Sequence, residues 1–487
     1  MDLLMGIDVG TNATKALLLD SKGNPVALEE HSYKLITPRD GWVEQEPEDL
    51  WHGVVETCKR LSARLGPGDK VLALSISSQG GTTIPVDDKM RPLRNAISWM
   101  DRRASEQAEN VRRRIGAEEV YRRTGWKLQE GLPLQHIAWL RDNEPDLFRS
   151  TRYFLFVNDF ILYRLTGRLC MDPSNAGITQ LYNLAEGRWD ERMVEIAGIE
   201  IDRLSPIYPS GTVLGTLTRE ASEETGLPTS VLVVNGAHDQ YCAALGVGVL
   251  EPGSVMLSCG TAWVVLGVLE ELKLNPEGPL SISPHVMPDL WGGICSLGAV
   301  GASMEWLSKS IFRSVGYDEI NKAAKRSPVG SNGLIFVPLT GGHAQTKRGT
   351  FLGLSLSHSL SDLARSVMEG IAFELRWVME EVRRAGMKTD QFKMVGGAAE
   401  SQIWPRIVAD VTDIPVLLPK VKQAASYGAA VLAGVGGGLY PDMKYGSSLI
   451  GDQEKRIMPD RDTASQYDKL FEIYRTVFEG IKPYLRE

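Results

Sequence analysis

MGIDVGTNATKALLLD, residues 5–20, sets an apolar run, a Gly-Thr turn and a second apolar run in succession. About half the chain later, GSVMLSCGTAWVVLGV (residues 253–268) repeats the same grammar. Apolar runs of this length around a small-residue turn read as β-hairpins. Strands and helices alternate after each. PEDLWHGVVETCKRLSARLG (47–66) has Pro47 early, acids in its first turn and Gly66 past its end, the marks of a helix. KVLALSIS (70–77) is a buried strand. In the second half a helix over 361–386, a strand over 392–397, a helix in SQIWPRIVADVTD and a closing amphipathic helix over 462–487 continue the alternation. The pattern predicts an α/β architecture. Its two like openings, with no short-period repeat, predict two halves of duplicated origin. The expected domains are 1–247 and 248–487, joined through the Gly-rich hinge GVGVLEPGS (246–254).

A chain of 487 residues suits two to four domains at ~100–200 residues each. Its net charge of −8, without a block of like charge, argues against nucleic acid or a membrane surface as partner. Cys58, Cys170, Cys242, Cys259 and Cys295 are scattered and form no CxxC pair, so neither a zinc site nor a disulfide framework is expected. No leader pattern and no apolar run of ~18 residues is present, and a reduced, cytoplasmic protein is expected.

The two turns suggest phosphate chemistry. Gly10 and Gly260 remove the Cβ that would block close approach, while Thr11 and Thr261 add hydroxyls beside exposed backbone N–H groups. Asp8, at the end of the first strand, suits Mg²⁺ held through water. Ordinary hairpins explain the same letters. MVGGAAES (394–401) brings Gly396 and Gly397 to the carboxyl end of a strand, where open α/β sheets bind ligands; close packing of helix on strand is the alternative. In NGAHDQYCAALGVG (235–248), Asp239 either reaches a substrate hydroxyl or caps the helix that follows.

With GWVEQEPEDLW (41–51), NAISWMDRRA (95–104) and YRLTGRLCMDPSNAGITQLYN (163–183), these segments stand in one order from residue 3 to about 440. In that order the chain resembles the FGGY carbohydrate kinases, the sugar-kinase branch of the actin/Hsp70/hexokinase-like ATPases. The resemblance implies two actin-like (ribonuclease H-like) domains closing on ATP, Mg²⁺ and a sugar or polyol. It makes Asp8 the metal-organising carboxylate and Asp239 both catalytic base and second carboxylate at the metal. Gly10, Thr11, Asn12 and Lys15 belong to the first phosphate turn, and Gly260 and Thr261 to the second. Gly396, Gly397, Ala398 and Ser401 line the adenosine site. Gln79, Gly80, Gly81, Trp99, Asp101 and Gln240 adjoin the sugar. Lys347 and Arg348 read as a solvated loop, His238 as a local hydrogen-bonding group, and Trp42, Trp51, Trp139 and Trp306 as packing.

After SISSQ (75–79), relatives acting on xylulose carry Met-His and those acting on glycerol carry Arg-Glu, whereas this chain has Gly80-Gly81. Two missing side chains should open space, and neither specificity transfers. A linear ketose stands first, D-xylulose giving xylulose 5-phosphate. Ribulose, L-xylulose, erythritol, glycerol or a sugar acid follow; an acid would want an Arg or Lys near the pocket. An actin- or Hsp70-like ATPase switch shares the turns but leaves AHDQ and SWMDRR without a task. A homodimer is the expected assembly by prevalence.

Overall fold

Strand Asp2–Val9 is buried along almost its whole length, so it needs cover on both faces and a place inside a sheet. In the computed structural model, which describes residues 1–298, 300–339, 348–450 and 455–486, it lies in a six-stranded sheet. The order is Val213–Thr216, Leu232–His238, Lys70–Ser78, Asp2–Val9, Ala13–Asp20, Pro25–Ser32. Asp2–Val9 pairs antiparallel with Ala13–Asp20 and parallel with Lys70–Ser78, which is itself parallel to Leu232–His238.

The second half repeats the plan. Gly253–Cys259 pairs antiparallel with Trp263–Leu269, which meets Trp291–Gly298; on its other side it runs parallel to Thr389–Val395, and that strand parallel to Val416–Leu418. In both sheets a three-stranded antiparallel meander therefore joins two parallel strands. The fold is two-domain α/β, as the paired openings imply.

Strand and helix positions follow the local signals within a few residues. The first helix is Pro47–Ser62 and the long helix of the second half is Leu360–Arg384, opened by a Ser359/Asp362 capping box. The strand expected over 392–397 ends at Val395, because Gly396 takes a left-handed φ of 90°. Trp42, Trp51 and Trp139 pack inward, but Trp306 is 44% exposed and only tilts against Phe351, contrary to the packing role expected for it. Lys347 lies outside the described residues; the Arg348 guanidinium stands over the Tyr484 ring.

Packing does not respect the midpoint of the chain. Helix Ala424–Gly436 returns to the first sheet, where a Cβ on Gly6 would lie 1.8 Å from Ser426 O. The same helix crosses Asp239–Gly246 at paired glycines. A Cβ on Gly246 would lie 2.0 Å from Ala424 O, and one on Gly428 1.8 Å from Cys242 O. Two helices meeting backbone to backbone allow neither to shift alone. The segment beginning at Asp239 is thus fixed by residues nearly two hundred positions later.

A further small sheet, Glu44–Gln45, Ala96–Ile97, Thr83–Val86 and Tyr153–Phe156, is inserted in the first half. The inserted region reaches the edge of the second sheet, with Ile282 N–H donating to Gly125 O and Trp126 Nε1 to Ser283 Oγ.

Candidate active site

Asp8 ends the opening strand and sits opposite Lys15 on one neighbour and Ser77 on the other. Directly opposed residues share a face of the sheet, so an acid, a base and a hydroxyl converge by register alone. Ser77 Oγ donates to Asp8 Oδ1 at 2.7 Å. Burial, then the negative charge of Asp239, raises the Asp8 carboxyl to about 7, against the smaller pull of Ser77 and Lys15. Asp239 opens helix Asp239–Gly246 and keeps about 30% of its side chain exposed. Burial pushes it up to about 6.

Asp239 is the first residue of the helix rather than its N-cap, which is His238; the Gln240 N–H and side chain bond its carboxylate and pull against burial. Asp239 has no Lys or Arg ion pair among the described residues, and its near neighbour is His238 Nδ1 at 3.5 Å. Two neighbouring carboxylates, one of them raised by the charge of the other, are a fitting place for a divalent cation. No cluster of three or more His, Cys, Asp or Glu that could hold a metal is present among the described residues. A two-carboxylate site suits Mg²⁺, which keeps several waters and takes its other ligands from phosphates.

The first turn is closed by Gly10 N–H donating to Ala13 O and by Tyr33, whose hydroxyl donates to Gly10 O and whose N–H donates to Asn12 O. Thr11 Oγ1 donates to Gln79 Oε1 at 2.9 Å and accepts from Trp99 Nε1 at 3.1 Å. Gln45 Nε2 donates to Thr11 O, and Gln79 Nε2 to Gln45 Oε1. The Thr11 hydroxyl therefore faces Gln79 and Trp99, and the groups left for an anion at this turn are the Thr11 and Asn12 N–H groups and the Asn12 side chain. Trp99 is 44% exposed and stands free on its outer side. Gln240 Oε1 is buried with no hydrogen-bond partner.

Asp101 behaves differently from the expectation of a sugar contact. It is fully buried, and its oxygens accept from Val43 N–H, from Arg103 N–H and from the Arg103 guanidinium. Arg103 also binds Glu44, which Arg94 joins, and stacks 3.7 Å above Trp42. Asp101 and Arg103 of SWMDRR form an internal clamp, while Arg102 between them is exposed.

The expectation that Gly80 and Gly81 open space is also corrected. A Cβ on Gly80 would lie 2.4 Å from His238 Cδ2, and Gly81 has φ of 78° with Trp99 Cβ 3.1 Å from the place a Cβ would take. One position is filled from elsewhere and the other needs a left-handed backbone.

On the second half, Gly260, Thr261, Gly397, Ala398 and Ser401 line one cavity of about 290 Å³, together with Gly301, Tyr317, Asn321 and Trp404. Gly396 is obligatory beside it, since a Cβ there would lie 2.7 Å from Cys259 O. Gly397 faces open space, the feature a close-lying ligand needs. The Ser401 hydroxyl donates to Asn321 Oδ1 and accepts from Ile403 and Trp404 N–H, so it shapes the cavity wall. The Trp263 and Trp404 rings lie 5.1 Å apart with both indole N–H groups buried and unpartnered.

Ser77, Gln45, Gly301 and Asn321 escaped the sequence reading. Ser77 is placed by strand register and Asn321 by helix packing, neither of which leaves a local mark. Gly301, whose Cβ would lie 2.1 Å from Gly260 O, shows only as a small residue just after a strand.

Residues 3–246 match the N-terminal domain, and residues 255–437 the C-terminal domain, described as those of the FGGY family of carbohydrate kinases. The xylulose kinase of Staphylococcus epidermidis is 29% identical over 487 residues, covering 99% of this chain and 97% of its own. The gluconokinase of Bacillus subtilis is 28% identical, covering 97% and 94%. The crystal structure of xylulose kinase from Rhodospirillum rubrum superposes with a TM-score of 0.93 at 27% identity, over the whole of both chains. Two domain matches in sequence, on a fold with the same duplicated sheets, settle the family: the chain belongs to the FGGY carbohydrate kinases.

Proposed function

We propose that this carbohydrate kinase transfers the γ-phosphoryl group of ATP to a hydroxyl of a linear ketose, D-xylulose first, with Asp239 as the base. The observation that carries the reading is Asp239 itself: a carboxylate at a helix start, beside Asp8, without an ion pair to Lys or Arg among the described residues. At pH 7 a group near 6 is mostly ionised, and it can accept the proton as the sugar oxygen attacks. The new bond joins that oxygen to the γ-phosphorus, the bond to the β–γ bridging oxygen breaks, and ADP leaves. Phosphoryl transfer has a loose transition state, so positioning and charge neutralisation supply most of the rate. Asp8 and Asp239 would hold Mg²⁺, which when bound neutralises phosphate charge. Backbone N–H groups at Thr11–Asn12 and Gly260–Thr261 would receive the phosphates, with Gly10 closing the first turn and Lys15 beside Asp8. Gly396–Ala398 and Ser401 would border the adenosine, and Gln79, Gly80, Gly81, Trp99 and Gln240 the sugar.

The xylulose kinases among the relatives favour a ketose. We place the domain boundary at 247/248, with 246–254 as the hinge. The five free, buried cysteines suit a reducing compartment, and we place the protein in the cytoplasm. Among the described residues no helix is long and apolar enough to cross a membrane. The test is coupled ADP release with Mg²⁺-ATP across D-xylulose, D-ribulose, L-xylulose, erythritol, glycerol and D-gluconate. D-Xylulose should give the highest kcat/KM; a preference for gluconate overturns the assignment.

A further inference from the structure

Position 80 lacks a side chain, yet the space beside it is full. A Cβ built on Gly80 would lie 2.4 Å from His238 Cδ2, 2.7 Å from His238 Nε2 and 2.9 Å from Ile178 Cγ2. Ordinary carbon contacts are about 3.5–4.0 Å, so residue 80 and the imidazole compete for one volume. The residue is held through its backbone and through one face of its ring. His238 N–H donates to Ser174 Oγ at 2.9 Å, and the Tyr241 ring meets the imidazole at 5.8 Å, inclined 68°. Tyr241 is anchored in turn by its hydroxyl donating to Gly292 O of the second sheet. Despite this support, His238 Nδ1 is buried and has no hydrogen-bond partner, 3.5 Å from Asp239 Oδ1. A buried polar atom left unpaired costs free energy and needs a partner from somewhere. Gln240 Oε1, two residues on, is buried and unpaired as well.

We propose that His238 is the specificity-determining residue of the sugar site: it stands where a side chain at residue 80 would stand, and its free ring nitrogen binds a second oxygen of the substrate. The inference rests on the kinase reading above and deepens it. With Nδ1 and the Asp239 oxygen only 3.5 Å apart, the pair matches oxygens on adjacent carbons. The substrate class is therefore a chain with a hydroxyl or carbonyl next to the carbon whose hydroxyl is phosphorylated. Gln240 Oε1, an acceptor, is suited to a further hydroxyl of the same chain.

The experiment is a cycle of variants and substrates. Wild type, His238→Ala, His238→Asn, Gly80→Ala and the Gly80→Ala/His238→Ala double variant are assayed for kcat and KM. Each is given the best ketose of the panel and its analogue deoxygenated next to the phosphorylated carbon. His238→Ala should raise KM for the ketose about 3- to 10-fold, the value of one hydrogen bond, with kcat nearly unchanged. It should also erase the wild type's preference for the ketose over its deoxy analogue. His238→Asn, which keeps donor and acceptor, should recover part of that preference and stands in if the alanine variant does not fold. Gly80→Ala alone should be impaired, and the double variant should be no worse than His238→Ala, because removing the ring removes the overlap. If the wild type phosphorylates the ketose while His238→Ala keeps KM and deoxy discrimination intact, or if the two single effects simply add, the specificity role is overturned and the kinase reading stands. If the wild type phosphorylates no sugar, the kinase reading fails and this inference with it.

Discussion

Replacing Asp239 by Asn removes one of two neighbouring carboxylates while keeping the side chain's size and one acceptor. For activity, losing a general base costs about 10²–10⁴ in kcat, or roughly 3–5 kcal/mol of barrier. Stability should move the other way. A carboxyl raised from 3.8 to about 6 makes the ionised native state less stable by about 3 kcal/mol at most. The sign follows from the direction: the folded pKa is the higher one, so the wild type loses stability as pH rises from about 4 to about 6 and stays lower above. With about 30% of the side chain exposed, solvent screens part of that figure, and it is a ceiling. Asp239→Asn should therefore melt at or above the wild-type temperature at pH 7.5, without nucleotide or metal, and the gap should shrink toward pH 4. Coupled ADP release and calorimetry on the same preparation read both quantities. Turnover within tenfold of wild type would refute the base. A loss of stability of about 0.5–2 kcal/mol in Asp239→Ala relative to Asp239→Asn, the cost of a lost helix cap, would refute the geometry.

Further outcomes are expected. The kcat/KM profile should fall on the acid side, between about pH 7 and 6, where the coupled Asp8 and Asp239 carboxyls take up protons; added Mg²⁺ should move that limb to lower pH, and a profile insensitive to Mg²⁺ counts against Asp8 as metal carboxylate. Gly428→Ala, whose Cβ would lie 1.8 Å from Cys242 O, should destabilise by about 1–3 kcal/mol or more. Gly397→Ala, with nothing within 4 Å, should leave the melting temperature within error while raising KM for ATP. Thr11→Val loses the bonds to Gln79 and Trp99 and should raise KM for the sugar about tenfold with a smaller effect on ATP; equal effects on both would place Thr11 on the phosphate side.

Much of this architecture is legible in the chain because it rests on local signals. The two hairpins are set by apolar runs around Gly10–Asn12 and Gly260–Ala262, and the long helix over 360–384 by its amphipathic pattern and capping box. Asp8, Asp239 and the Gly396–Gly397 turn fall at strand ends, where sequence pattern and chemistry coincide. What the chain conceals depends on residues far apart. That helix Ala424–Gly436 lies on the first sheet follows from Gly6, Gly246 and Gly428 together, and none of them announces a partner. The carboxylate of Asp101 looks like a ligand until Arg103, Glu44 and Val43 are seen to engage it. Gly80 looks like an absence until His238, 158 positions later in number, is found in its place.

The central claim is that Asp8, Asp239 and the two Gly-Thr turns serve a single transfer from ATP to a sugar oxygen. Following the label from γ-labelled Mg²⁺-ATP, with and without D-xylulose, tests it most directly. The account predicts label in a sugar phosphate, one for each ADP formed, and little turnover without sugar. Label released as inorganic phosphate at the same rate whether or not sugar is present would contradict it.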